Sequence, residues 1–233
     1  MSFTSLESRI LFEDNHIIMV NKISGELVQG DQTKDIPLVE KVKSYLKKKY
    51  NKPGAVFLGV VHRIDRPTSG IILFAKTSKA LTRLNEQFKN RLPNKSYWAI
   101  VSKNFPDQNG KLIHWMTRNT QQNKSKAHSK PVPNAKEARL HYVKLIELDR
   151  YSILEIKLET GRHHQIRAQL SEFGFPIVGD LKYGAARSNK DGSICLHAKK
   201  LQIDHPVTQK TITISAELPE SGIWKVVPFD LVN

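Results

Sequence analysis

Short apolar runs separated by turns that contain Gly or Pro recur along this chain and predict more strands than helices. "HIIMVNK" and "KSYWAIV" are rich in the branched and aromatic residues typical of strands. "ARLHYVKLIELDRYSILEIKLET" predicts a strand hairpin, and "CLHAKKLQIDHPVTQKTITISAELPE" predicts a second strand pair. Because the strands mostly follow one another through turns, we expect a largely antiparallel sheet.

Other segments have the periodicity of helices. In "PLVEKVKSYLKKKY" a proline precedes an apolar stripe, and in "SKALTRLNEQFKNRLP" we expect Ser78 to cap a helix that Pro93 ends. The shorter "HHQIRAQLSEF" is expected to stop at Gly174. Together these elements predict an α+β fold. We expect one domain over residues 1–233, with a mixed, mostly antiparallel central sheet flanked by helices and loops.

One long segment, residues 118–137, shows no periodicity of either kind. Its sequence "RNTQQNKSKAHSKPVPNAKE" contains five basic side chains and one acid. The pattern predicts a long basic loop, and loops of this length are more often functional than idle.

The charge balance adds a class of partner to this picture. The 233 residues include 37 Lys or Arg and 22 Asp or Glu, which gives a net charge of +15 and a pI near 9.8. Such a surplus attracts polyanions, and nucleic acid is the commonest polyanion that a protein of this kind meets. A basic protein with no nucleic-acid role is the alternative at this point.

Two features of the sequence bear on the disulfide content and the cellular location of the protein. The lone cysteine, Cys195, excludes an intrachain disulfide framework and a metal site built from several cysteines. The first residues have no basic segment followed by a long apolar run. We therefore expect neither a signal peptide nor a membrane span, and we expect a cytoplasmic location.

Candidate chemistry concentrates in "GVVHRIDRPTSGIILFAKT", where Asp65 lies between Arg63 and Arg66 with an apolar run on each side. A proline and a glycine indicate an irregular turn between two strands, and the adjacent arginines favour the ionised carboxylate. An ionised carboxylate in a water-poor pocket is a competent nucleophile. An aspartate that only caps the turn or pairs with an arginine is the alternative.

Metal chemistry is a competing interpretation of the same residues. No second carboxylate lies near Asp65 in the sequence, and its arginine neighbours would repel a cation. We therefore expect no metal site. The side chains that would have to form one are His62, Asp65, His163, His164, His197 and His205.

The stretch around Asp65 resembles the H-R-L-D-x-x-T-S-G motif of the RluA-type pseudouridine synthases, with Ile64 in place of leucine. Other segments resemble the remaining motifs of that family in the same order, from about residue 10 to residue 206. They are "VNKISG", "KSYWAIV", "TGRHHQIRAQLSEFGFPIVGDLKYG" and "LHAKKLQIDHP". Ile23 and Gln169 stand where proline and histidine are usual. The chain begins almost directly at the first motif, so we expect no S4-like domain before it.

The resemblance implies an enzyme that converts uridines of structured ribosomal or transfer RNA to pseudouridine, as a monomer and without a cofactor. It implies that Asp65 is the catalytic aspartate and Tyr97 the active-site tyrosine. Arg167 matches the basic residue that pairs with the aspartate in this family. The structural alternatives are core packing for Tyr97 and a surface position for Arg167.

Four more residues are expected to contact RNA. By resemblance Arg63 occupies the space that a flipped uridine vacates. Arg162 lies near a helix start, where a cation is disfavoured, so we expect it to serve an anion. Lys95 and His62 complete this group.

Two other functions remain open at this stage. One is an RNA-binding module without catalysis, which the presence of Asp65, Tyr97 and Arg167 argues against. The other is a metal-dependent nuclease, which the lack of clustered carboxylates argues against.

Overall fold

The computed structural model describes residues 5–31, 33–220 and 222–228. Its chain divides into two compact units. The first comprises Met1–Asn94 and Ala198–Glu217, and the second comprises Lys95–His197 and Leu218–Asn233.

The described elements follow the apolar runs of the sequence. The helices are α1 (Leu38–Lys49), α2 (Ser78–Lys89) and α3 (Gln165–Glu172), and a 3-10 turn covers Leu181–Tyr183. The strands are β1 (Ile10–Glu13), β2 (Ile17–Lys22), β3 (Gly59–Val60), β4 (Ser69–Ala75), β5 (Asn94–Ser102), β6 (Asn109–Asn119), β7 (Lys124–His128), β8 (Lys136–Glu147), β9 (Tyr151–Leu158), β10 (Leu196–Asp204) and β11 (Thr211–Ser215).

The first unit is a sheet with a helix on each face. Its strand order is β1-β2-β4-β10, with β3 also paired to β4 and β11 paired to β10. Alternate residues of β2 and β4 point to opposite faces, so that Met19 and Leu73 pack with α2 while Val20 and Phe74 pack with α1. Both faces are therefore buried, which explains why the two central strands are continuously apolar.

The second unit is built on a meander of strands. Its order is β5-β9-β8-β6-β7, with each neighbouring pair antiparallel. Helix α3 packs on β6 and β7. The small side chains of Ala127, Ala138 and Ala168 are buried there beside Met116 and Tyr183. Small residues at these positions bring the helix close to the strands.

Most of the predicted elements are confirmed, including the α+β class, the β8–β9 hairpin and the β10–β11 pair. One detail of α2 differs. Its N-cap is Thr77, whose hydroxyl accepts a hydrogen bond from the Ala80 amide, and the helix ends at Lys89. Within the part of the chain that the structure describes, no helix is long and apolar enough to cross a membrane.

The prediction that residues 118–137 form a long loop is wrong. This segment contains the end of β6, all of β7 and the start of β8. Strand β7, "KSKAH", alternates exposed lysines with buried Ser125 and Ala127. Because serine and alanine give little hydrophobic signal, the period of two was not recognisable as a strand.

Candidate active site

Asp65 lies in the connection between β3 and β4 of the first unit and is half-buried. The Thr68 amide donates to the Asp65 carbonyl over 3.0 Å, which closes a turn just before β4 begins. Gly70 follows with φ of +112°, and a Cβ there would lie 2.4 Å from the Ala198 carbonyl oxygen. Only glycine fits this backbone, so the start of β4 is fixed directly behind the acid.

A second segment, residues 22–26, braces the Asp65 turn from the other side. Ser24 Oγ donates to the Pro67 carbonyl at 2.9 Å, and the Gly25 amide donates to the Arg66 carbonyl at 2.9 Å. Lys22 Nζ donates to the same Arg66 carbonyl at 3.0 Å. The segments that resemble the first two family motifs are thus hydrogen-bonded to each other.

Lys22 brings a buried positive charge to this turn. Its amine is fully buried and also donates to the carbonyls of Ile23 at 3.0 Å and Glu26 at 2.8 Å. Burial lowers the pKa of Lys22 to about 7, and the negative charges of Glu26 and Asp65 oppose that shift. An amine that titrates near neutrality therefore lies within electrostatic range of Asp65.

The residues that flank Asp65 have different surroundings. Arg66 donates from Nε to the Gly25 carbonyl at 3.0 Å and from a terminal nitrogen to Asp35 at 2.6 Å. Arg63 is exposed, and its guanidinium has no hydrogen bond or ion pair within the described residues. His62 Nε2 accepts from the Leu73 amide at 3.1 Å. This contact anchors the imidazole to β4.

Tyr97 and Lys95 lie on β5 of the second unit. Tyr97 is buried and stands opposite Ile156 of β9. Lys95 is two positions earlier on the same strand and is half-buried, and its burial lowers its pKa. Both side chains point to one face of the sheet, because residues i and i+2 of a strand share a face.

Arg167 is buried in α3, which corrects the alternative of a surface arginine. Its Nε donates to Asp180 Oδ2 at 2.7 Å and its Nη2 to Oδ1 at 2.8 Å. The guanidinium also lies 4.9 Å from the centre of the Tyr183 ring. A two-point carboxylate contact and an aromatic face fix the plane of the guanidinium.

Arg162 precedes α3 and is half-buried. Its Nε donates to the Glu137 carbonyl at 3.0 Å, and its backbone amide donates to Gln165 Oε1 at 2.9 Å. The acceptor of the second contact is the side chain of the first residue of α3. Arg162 therefore joins the beginning of β8 to the beginning of α3.

The sequence alone does not identify three residues that contact the Asp65 turn or Arg167: Lys22, Asp180 and Tyr183. All three lie inside segments that match family motifs, "VNKISG" and "GDLKYG". Only their presence in those motifs could have drawn attention to them. Among the residues described, no group of three or more His, Cys, Asp or Glu is placed to hold a metal ion.

Comparison with known proteins decides the family. The model of the family described as RNA pseudouridylate synthase matches residues 16–172. The chain belongs to the RNA pseudouridylate synthase family. The resemblance to RluA-type enzymes is confirmed by relatives such as the ribosomal large subunit pseudouridine synthase D of Zymomonas mobilis, 33% identical over 91% of this chain and 69% of the relative.

Other relatives extend further than this chain. The tRNA pseudouridine synthase C of Pectobacterium carotovorum is 30% identical over 93% of this chain and 62% of its own length. The ribosomal large subunit pseudouridine synthase D of Borreliella burgdorferi is 36% identical over 84% of this chain and 60% of its own length. The chain thus spans about three fifths of the length of these two relatives.

Solved structures agree on the fold. Human RNA pseudouridylate synthase domain containing 4 has a TM-score of 0.77 at 22% identity, covering 92% of this chain and 90% of its own. Human RNA pseudouridylate synthase domain containing 1 has a TM-score of 0.71 at 24% identity, covering 94% and 87%. The α+β fold predicted from the sequence is thus the fold of this family.

Proposed function

We propose that this protein isomerises uridine to pseudouridine in structured ribosomal or transfer RNA. The observation that carries the proposal is the braced turn at Asp65, which lies inside the region matched by the family model. The names of the relatives refer to both kinds of RNA. The basic composition of the chain is suited to a polyanionic substrate.

In the proposed reaction the N1–C1′ glycosidic bond breaks, the base rotates, and C5 forms a bond to C1′. Asp65 is the catalytic aspartate. Its carboxylate adds to C1′, adds to C6 of the base, or removes the C2′ proton. All three routes require an ionised carboxylate held in a fixed position. None of them includes a redox or phosphoryl-transfer step, so the proposal invokes no cofactor and no metal ion.

Tyr97 and Arg167 have distinct proposed roles. The ring of Tyr97 stacks on the uracil, and its hydroxyl transfers the proton at C5. Arg167 supplies the positive charge that pairs with the catalytic carboxylate. The ion pair with Asp180 and the Tyr183 ring support this role, because they hold the guanidinium in one orientation.

Four residues are proposed to hold the RNA. Arg63 stacks in the space left by the flipped uridine, and its exposed guanidinium is consistent with that role. Arg162, Lys95 and His62 contribute contacts that position the nucleotide and its backbone.

The proposal also covers the setting of the reaction. The family match crosses from the first compact unit into the second, which supports a single catalytic domain over residues 1–233. We propose that this domain acts as a monomer in the cytoplasm.

The test replaces Asp65 by asparagine, which keeps the shape of the side chain but removes its charge and its nucleophilic oxygen. We expect unchanged RNA binding and a loss of turnover of roughly 100- to 10,000-fold. The measurement is mass-spectrometric detection of pseudouridine in unmodified ribosomal and transfer RNA transcripts, with binding followed in parallel. Asp149→Asn, at an exposed position, is the matched control and should keep full activity.

Each assay is run with and without EDTA. Isomerisation by the unaltered protein that ignores the chelator supports the proposal. Binding without any chemistry would instead identify an RNA-binding module, and cleavage that EDTA abolishes would identify a nuclease. Near-normal product from Asp65→Asn would remove Asp65 from the catalytic role.

A further inference from the structure

Tyr183 is a buried tyrosine whose hydroxyl joins two elements of the second unit. It accepts a hydrogen bond from the Ser125 amide of β7 at 2.9 Å. It also lies 2.8 Å from Nδ1 of His164, the residue that precedes α3. The Tyr183 hydroxyl therefore links β7 to the start of α3.

The charge state of His164 bears on the second hydrogen bond. Burial, together with the positive charges of Arg167, His163, Lys182 and Arg118, lowers the pKa of His164 to about 2. The imidazole is neutral at physiological pH. The Tyr183 hydroxyl accepts from the Ser125 amide, and the tautomer of the neutral imidazole sets the direction of its bond with Nδ1.

The Tyr183 ring faces two cations. The guanidinium carbon of Arg167 lies 4.9 Å from the ring centroid, and Lys124 Nζ lies 5.4 Å from it. Both distances are within the range of cation–π attraction. Arg167 comes from α3, whereas Lys124 comes from β7.

Residues 118–128, here called the basic hairpin, are held firmly by neighbouring side chains. His163 bonds to Ser125 Oγ at 2.9 Å and to Asn123 Oδ1 at 3.1 Å. Lys182 Nζ donates to the carbonyls of Gln122 at 3.3 Å and Asn123 at 3.2 Å. The hairpin is therefore docked, and its exposed cations have defined positions.

These exposed cations are Arg118, Lys124 and Lys126. Lys124 and Lys126 share one face of β7, whereas Arg118 pairs with Ser125 on the other face. Two cations on one face of a docked hairpin fit the phosphates of an RNA backbone. Lys124 and Arg167 contact the same Tyr183 ring. This ring is therefore a physical link between a cation of the basic hairpin and the Arg167 guanidinium.

We propose that Tyr183 is a positioning residue that couples the basic hairpin to Arg167, so that RNA backbone contact at Lys124 improves the orientation of the arginine. This inference rests on the proposed function, in which Arg167 pairs with the catalytic carboxylate. It assigns to Lys124 an effect on turnover in addition to its effect on affinity. Lys126, on the same strand, affects affinity alone.

The test is a double-mutant cycle of Lys124→Ala with Tyr183→Leu, read as separate kcat and KM values for pseudouridine formation. Tyr183→Leu removes the aromatic ring that both cations contact. In the unaltered background Lys124→Ala should lower kcat about fivefold and raise KM. In the Tyr183→Leu background it should raise KM to the same extent and leave kcat unchanged.

Lys126→Ala is the matched control, because it removes the same charge from the same strand without touching the ring. It should raise KM in both backgrounds with no change in kcat. Should Tyr183→Leu fail to fold, Tyr183→Phe replaces it in the cycle. That variant keeps the ring, so Lys124→Ala should lower kcat about fivefold in its background as well.

An equal effect of Lys124→Ala on kcat in the unaltered and Tyr183→Leu backgrounds, or no effect on kcat in the unaltered background, overturns the coupling. Loss of the effect in the Tyr183→Phe background overturns it as well. The proposed function fails separately, by absence of pseudouridine from the unaltered protein.

Discussion

Arg63 and Arg66 flank the same carboxylate and yet have opposite environments. Arg66 is occupied by the Gly25 carbonyl and Asp35 and so stabilises the segment that braces the turn. Arg63 is exposed. The two arginines of "RIDR" therefore differ in their surroundings: Arg66 supports the fold, whereas Arg63 faces solvent.

We expect Arg63→Ala to lower activity most on RNA in which the target uridine is paired or stacked. Extruding such a base costs a few kcal/mol, which corresponds to a loss of roughly tenfold or more when the inserted guanidinium is absent. The measurement compares kcat/KM on a folded transcript and on a flexible single strand with the same target. Arg150→Ala, at an exposed arginine, is the control. An equal loss on both substrates would contradict the role in base flipping.

Individual side chains were predictable only where a motif named them. Asp65, Tyr97 and Arg167 were identified as candidates, but the partner of Arg167 was not, since Asp180 lies thirteen positions further along the chain. A lysine at the end of an apolar strand is usually exposed, so Lys22 gave no sign of burial. The three carbonyls that receive its amine come from a turn geometry that the local sequence does not encode.

At the scale of elements, a substitution at Gly70 tests how tightly the start of β4, which follows the Asp65 turn, packs against β10. Gly70→Ala places a methyl group 2.4 Å from the Ala198 carbonyl oxygen at a backbone φ of +112°. We expect a destabilisation of about 2 kcal/mol or more, from strain and overpacking together. The measurement is the free energy of unfolding by chemical denaturation, with the melting temperature as a second readout.

Gly54→Ala is the matched control for this substitution. Nothing lies within 4 Å of a Cβ at Gly54, and its φ is not in the positive range. The control should leave the free energy of unfolding within about 0.5 kcal/mol of the parent or raise it slightly. Equal stability of the two variants would show that β4 can move away from β10 at little cost.

The elements themselves were predictable in proportion to their apolar content. Large apolar side chains occupy the buried positions of five elements, and their spacing in the sequence predicts each element. They are strands β2, β4 and β5 and helices α1 and α2. Strand β7 buries Ser125 and Ala127 under α3, and its pattern is polar throughout. Close packing of α3 on β7 requires small buried residues, and small residues give little hydrophobic pattern in the sequence. For this reason the sequence predicts a loop over residues 118–137 where the structure has strands.

At the scale of the whole molecule, the net charge of +15 dominates the expected behaviour towards RNA. We expect the logarithm of the dissociation constant to rise linearly with the logarithm of the salt concentration, with a slope of about 0.7–0.9 per phosphate contacted. Fluorescence anisotropy of a labelled transcript across a salt series measures this slope. Binding that ignores salt would rule out the backbone as the main source of affinity.

A charge variant refines this measurement. If both lysines contact phosphates, the double variant Lys124→Ala, Lys126→Ala should lower the slope of log Kd against log salt by the amount expected for about two phosphate contacts. A slope equal to that of the parent would place the RNA away from the basic hairpin. Among the whole-molecule properties, composition alone predicts a polyanionic partner, whereas the surface proposed to bind it depends on which residues the fold exposes.

The brace at residues 22–26 has a consequence for how the protein is made. A ribosome delivers Lys22, Ser24 and Gly25 before it delivers Asp65, so the brace can close only after the carbonyls of Arg66 and Pro67 have emerged. Circular permutation that opened the chain between these two segments would reverse that order of synthesis. Such a protein would have every residue of the parent, but its Asp65 turn would emerge before the segment that braces it.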